Sequence, residues 1–221
     1  MAYAQAMRHL TLATALACCL PAASAVAHPH VFVVTAVNVI YEDGRPAAVE
    51  LSWIYDEYFS LLLTADLGID LDGDLVLTSE EEAILASAVT DWPADFDGDL
   101  EVMQDGSVLS LGPKRDHRME FRDGIVHEIH TRPLPEGLPD TDLTVRVYDP
   151  NYYTAYEVAE PVLVTGAEGC AATVTPPNLY EAYALVEELL YGRPASDVGP
   201  GEKFPEVGVK FAATITVSCD G

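Results

Sequence analysis

Basic side chains are scarce in this chain: 11 Lys and Arg stand against 36 Asp and Glu, for a formal net charge of −25 at pH 7. Affinity for phosphate backbones needs a basic surface, so nucleic acid is excluded as a partner, and an anionic membrane surface is disfavoured on the same ground. Long apolar runs are also few. Beyond the first 27 residues none approaches the roughly 20 needed to span a bilayer, so no direct membrane insertion of the exported chain is expected. Cysteine is confined to Cys18, Cys19, Cys170 and Cys219. No phosphate loop, nucleophile elbow or His-Glu-x-x-His segment occurs, so nothing points to catalysis and the chain is expected not to be an enzyme.

What is present begins with a secretory pattern. Arg8 and His9 lead into the apolar stretch 10–20, followed by Pro21 and the small-residue site Ala25-Val26-Ala27. Residues 1–27 read as a signal peptide, leaving residues 28–221 as a single periplasmic domain. The mature chain would start His28-Pro29-His30, with an amine and two imidazoles within three residues. That is a good start on a transition-metal site. Pro29 has no amide proton to lose, which excludes the square-planar mode that uses deprotonated peptide nitrogens. Ordinary imidazole binding to zinc, nickel or copper remains, completed by groups elsewhere in the fold.

Export removes Cys18 and Cys19 with the signal and leaves Cys170 and Cys219 as one pair. A disulfide is the expected product in an oxidising compartment; a pair of thiolate ligands is the alternative, without Cys-x-x-Cys spacing to support it.

The patterning predicts an α+β domain, mainly antiparallel β-sheet with about three helices. Segments 31–41 and 47–55, joined through Asp43-Gly44, read as a hairpin. Helical spacing follows over 56–67, with Tyr58, Phe59, Leu61 and Leu62 on one side. A second helix is predicted over 79–89, opened by Thr78 or Ser79 and three glutamates. Strands are predicted at 100–104, 108–111, 118–121, 125–131, 143–148, 156–164, 171–175 and 208–218. Asn178 caps a last helix whose Leu179, Tyr183, Val186 and Leu190 form an apolar stripe.

The strongest local motif is the acidic loop 70–81. Oxygen-bearing side chains at Asp70, Asp72, Asp74, Thr78 and Glu81, with the Val76 carbonyl, fall at the offsets of an EF-hand calcium loop. Leu75 departs from the glycine usual at the sixth position, where positive φ costs a side chain on the order of 1 kcal/mol. A weak calcium site is one reading; a solvated acidic turn that caps the next helix is the other. Asp95-Phe96-Asp97-Gly98-Asp99 resembles a second copy, but its twelfth position is Gly106, and it reads as an ordinary acidic loop. His127 and His130, three apart in a predicted strand, should face opposite ways, although one of them could complete a site begun at the N-terminus. His117 reads as a surface residue.

Several segments together resemble a known family: His28-Pro29-His30-Val31-Phe32; Trp53-x-x-Asp56-Glu57-x-x-Ser60; the Asp72-Gly73-Asp74 loop with Glu80-Glu81; Tyr148-Asp149-Pro150-x-Tyr152-Tyr153; and Phe211-Ala212 before Cys219. The chain resembles uncharacterised periplasmic proteins described as components of a transition-metal transport system and commonly encoded beside NicO-type nickel/cobalt permeases. The resemblance implies a non-enzymatic accessory that handles zinc or nickel/cobalt for a membrane metal permease. Asp149 matches the family motif either as a ligand or as the residue that shapes the turn before Pro150. A calcium-stabilised extracytoplasmic structural or interaction module, with the acidic loop as its only site, is the competing expectation.

Overall fold

Strand β1 (Val31–Glu42) alternates strictly, with Val31, Val33, Thr35, Val37, Val39 and Tyr41 buried and their neighbours more exposed. One strand face therefore lies on a core. In the computed structural model, which describes residues 29–88, 92–93, 96–193, 198 and 204–219, β1 pairs antiparallel with β2 (Arg45–Tyr55). The turn between them is Asp43-Gly44 with φ 51° and 73°, the pair of positive values that a tight hairpin turn demands. Asp123-Gly124, at 51° and 83°, makes the same turn between β5 (Arg115–Arg122) and β6 (Ile125–Pro133).

The other strands are β3 (Leu100–Gln104), β4 (Ser107–Val108), β7 (Leu143–Val147), β8 (Thr154–Val158), β9 (Leu163–Thr165), β10 (Cys170–Thr175) and β11 (Thr214–Cys219). They form two sheets. One runs β5-β6-β2-β1-β8, with β9 also on β1; the other runs β10-β11-β7-β3-β4. Most pairs are antiparallel, while β8 and β9 run parallel to β1. Residues 156–164, expected as one strand, are thus two, separated around the cis Glu160–Pro161 bond. The start of the expected 208–218 strand is a 3-10 turn, Gly208–Lys210.

Both sheets contribute to one core. Val33, Val39, Val49 and Leu51 from the first meet Leu100, Val102, Leu143, Val145, Ile215 and Val217 from the second, all 3 % exposed or less. Burial of each such side chain contributes about 1.5–3 kcal/mol. The architecture is the expected single α+β domain, and among the described residues three helices lie outside the sheets: α1 (Glu57–Leu67), α2 (Ser79–Ser87) and α3 (Leu179–Leu189). Among the described residues no helix is long and apolar enough to cross a membrane.

Helix α1 turns three of the four residues of its expected apolar side outward, while Phe59 packs on the core and stacks on Tyr55 at 4.6 Å. Tyr58, Leu61 and Leu62 are exposed, and the buried residues are Ser60 and Thr64. The reason is a close approach to β6: Ser60 Oγ accepts the Val126 N–H at 3.0 Å, which a bulky side chain at 60 would prevent. The stripe on α3 is also rotated: Ala182, Val186 and Leu190 are buried, with Leu179 and Tyr183 each 50 % exposed. This helix packs with Tyr152, Val207 and Phe211 into a second, smaller cluster.

Cys170 and Cys219 face each other at the end of the β10–β11 pair and are joined in the expected disulfide, which a thiol-oxidising extracytoplasmic compartment permits. The bond closes a 49-residue separation, so chain entropy assigns it about 3–4 kcal/mol. The Cys170→Ala/Cys219→Ala protein should lose roughly that much unfolding free energy in urea, with a slope at least as steep as the parent's because the unfolded chain is released from the cross-link. A loss below about 1 kcal/mol would place the constraint in residual unfolded-state structure instead.

Candidate functional site

The first residues of β1 are fixed by main-chain bonds rather than left to fray. His30 N–H donates to the Tyr153 carbonyl at 2.8 Å, and the Phe32 carbonyl accepts from Asp56 N–H at 3.0 Å. Asp56 returns the contact: one carboxylate oxygen accepts the Phe32 N–H at 3.0 Å and the other caps α1 through Phe59 N–H at 2.8 Å. On the other side, Asp149 accepts backbone N–H groups from Asn151, Tyr153 and Thr154 at 2.9–3.0 Å. Its carboxylate shapes the turn, the structural one of its two readings. Tyr152 from that turn stacks on Phe211 at 3.7 Å, and a Cβ at Gly208 would lie 1.8 Å from the Asp149 carbonyl oxygen, so the closing segment is tied in as well.

Segments distant in sequence thus converge where the described chain begins. His30 is exposed there, its ring 4.7 Å from that of Tyr153. His28 lies outside the described residues. His30 thus stands at the surface, beside Tyr153, on an edge held by main-chain hydrogen bonds.

The acidic loop brings Asp70, Asp72 and Asp74 together, each offering a carboxylate oxygen within 4.8 Å of the others. Leu75 adopts φ 63°, the left-handed turn the sixth position requires, and its side chain lies over Gly124, where an added Cβ would meet it at 3.1 Å. Leu75 N–H donates to Asp70 Oδ1 at 3.1 Å, closing the loop on itself. Glu81 does not join the three aspartates as a fourth member. It accepts the N–H groups of Asp70 and Thr78 at 2.9 and 2.8 Å and completes a capping box on α2. Hydrogen bonds from Thr78 first, then Asp70, hold its carboxyl below the usual range. The loop therefore carries a carboxylate cluster at one end and the expected helix cap at the other. Val76 is exposed, as is Thr78.

A third cluster, not foreseen from spacing, is buried under the first sheet. The β5–β6 register shifts between Arg115 and Arg118, with Asp116 at φ 55°. This bulge turns His117 inward, contrary to its surface reading, so that its side chain is only 8 % exposed. His117 Nε2–H donates to Glu128 Oε1 at 2.7 Å, and Tyr55 O–H donates to Glu128 Oε2 at 2.6 Å. His130, two residues along β6 and on the same face as Glu128, is fully buried between Trp53 and Trp92, with ring centroids at 4.6 and 4.8 Å. Neither His130 nitrogen has a hydrogen-bond partner among the described residues, nor has His117 Nδ1 or Trp53 Nε1. Each such buried orphan costs about 1–3 kcal/mol.

The sequence model of the DUF1007 family, described as a protein of unknown function, matches residues 13–219. The chain belongs to that family. No curated protein and no solved structure matches it. DUF1007 membership carries no activity with it, so the chemistry of this DUF1007 chain has to be argued from its own residues.

Among those residues, Asp99 is the second correction. Residues 96–99 are not merely part of an ordinary acidic loop, because Tyr156 O–H donates to Asp99 Oδ2 at 2.8 Å and burial pushes the Asp99 carboxyl up to about 7. His130 moves the other way. Burial, then the charges of His117, Arg132 and Lys114, bring it down to about 3.

The pH consequences oppose each other. Asp99 titrates near ~3.9 when unfolded, so the folded state holds its proton more tightly; that stability is present in acid and lost as pH rises through 7. His130 penalises the folded state as pH falls from ~6.5 toward 3. Asp99→Asn keeps an acceptor for Tyr156 and removes the first effect. It should be more stable than the parent by about 2 kcal/mol at pH 8, with the gap closing by pH 4 in urea melts. A gap independent of pH would contradict the assignment.

Proposed function

We propose that this protein is a non-enzymatic periplasmic accessory of a transition-metal transport system, capturing zinc or nickel/cobalt at His28 and His30 and presenting it to a membrane metal permease. The observation that carries this reading is the anchoring of the N-terminal segment. His30 is held by the Tyr153 carbonyl and the Asp149 turn, and it is an exposed residue whose ring lies beside that of Tyr153. A signal cut after Ala27 adds the His28 amine and imidazole to that edge. Two imidazoles and an amine make a partial coordination set, which a receiving protein can complete. The resemblance of the His-Pro-His, Asp56-Glu57 and Asp149-Pro150 segments to permease-associated proteins supports the same role. The Cys170–Cys219 disulfide suits the periplasm.

The acid-rich surface favours recognition by charge, fast and salt-sensitive, over a large apolar interface. Isothermal titration of protein beginning at His28 should show zinc or nickel binding that weakens at least tenfold, about 1.4 kcal/mol, in His28→Ala/His30→Ala. Equal affinity in the two proteins overturns the proposal.

A second reading rests on the gathered carboxylates of Asp70, Asp72 and Asp74. Here the loop binds calcium, with Val76, Thr78 and Glu81 as the remaining candidates, and the protein is a calcium-stabilised extracytoplasmic module. Extracellular modules hold calcium at about 10⁻⁴–10⁻³ M. Calcium at ten times its dissociation constant should stabilise the fold by about 1.4 kcal/mol, visible as a raised melting midpoint that Asp70→Ala/Asp72→Ala loses. An unchanged midpoint excludes the calcium role.

A further inference from the structure

The His117–Glu128–His130 cluster is used neither by the N-terminal reading nor by the acidic loop. Among the described residues three of its imidazole nitrogens are buried without a protein partner, and the two rings that carry them are neighbours, with centroids 6.1 Å apart and planes at 80°. A metal held about 2.0–2.1 Å from each nitrogen, with ring centres about 1.1 Å behind, sets the centroids of two ligating imidazoles roughly 5.2 Å apart for a tetrahedral angle and 6.4 Å for a linear one. The observed spacing falls in that window, toward its linear end.

The proton inventory fits as well. A carboxylate only accepts, so the bond to Glu128 places the His117 proton on Nε2 and leaves the Nδ1 lone pair unused in the neutral ring. Glu128 is itself fixed by Tyr55. Carboxylate to histidine to metal is the arrangement by which an outer group orients a ligand and raises its basicity.

We propose that His117 Nδ1 and His130 form a second, internal transition-metal site, with Glu128 as the positioning residue and the Trp53 and Trp92 rings as its walls. Two nitrogen donors near a linear angle suit a low-coordinate d10 ion. Two-coordination by nitrogen is ordinary for copper(I), whereas zinc completes four ligands, so copper(I) is the first expected ion and zinc the second. The site is independent of the N-terminal reading, since it shares no residue with it and the two can fail separately.

The chain holds only two tryptophans, and both flank His130. Tryptophan emission therefore reports on this cluster. The experiment titrates the His28→Ala/His30→Ala protein with copper(I) under anaerobic conditions, and separately with zinc, following emission and far-ultraviolet circular dichroism. The proposal predicts a saturable emission change at one equivalent of copper(I) or of zinc with the fold unchanged. It also predicts loss of that change in the same background carrying His117→Ala, and a 10- to 100-fold weaker response with Glu128→Gln. Emission indifferent to both ions, or an undiminished response in His117→Ala, overturns it. If His117→Ala does not fold, Glu128→Gln decides, and an unaltered affinity there is equally fatal.

Discussion

The structure depends on β1 having a partner on each side. Antiparallel β2 covers one edge from Val33 to Glu42, and parallel β8 and β9 cover the other. A strand so enclosed must send every second side chain into the core, and its start is set by the last bonds its neighbours can supply. Those are the Tyr153 carbonyl and the Asp56 carboxylate. Register therefore decides where the histidine-bearing segment leaves the fold. A shift of one residue would exchange Val31 and Val33 for Phe32 and Val34 in the core and turn the strand's start over.

That constraint links the two metal readings physically. β2 carries Trp53 and Tyr55 toward the same interior that β6 supplies with Glu128 and His130, because Trp53 lies opposite Glu128, and Leu51 opposite His130, across the ladder. The core is thus apolar around Val39, Val49 and Leu51 and turns polar toward β5, where the bulge brings in His117. A wholly apolar core would be simpler to stabilise; neutral buried histidine and a proton-retaining Asp99 both cost folding energy near neutral pH.

Local chemistry was legible in the sequence wherever a few adjacent residues decide the outcome. Asp43-Gly44 and Asp123-Gly124 announce their turns because that pair tolerates two positive φ values, and Thr78 with Glu81 announces the start of α2. Cys170 and Cys219 pair by elimination and face each other in the ladder. What depended on distant partners was not legible. Helix α1 buries Ser60 and Thr64 instead of Leu61 and Leu62 because β6 passes too close for anything larger, a fact held by Val126. His117 is buried through a bulge one residue long, and Asp99 through Tyr156, 57 positions away. The trio Asp70, Asp72 and Asp74 followed from spacing, whereas the separate engagement of Glu81 required the geometry of the loop.

The central claim is that metal is first taken at the histidine edge of β1. Long-range proton–nitrogen correlation spectra of the imidazole rings, recorded while zinc is added to protein beginning at His28, resolve the histidines individually. The account predicts that the ring nitrogens of His28 and His30 move within the first equivalent. Zinc that binds while both of those rings stay unchanged would contradict it.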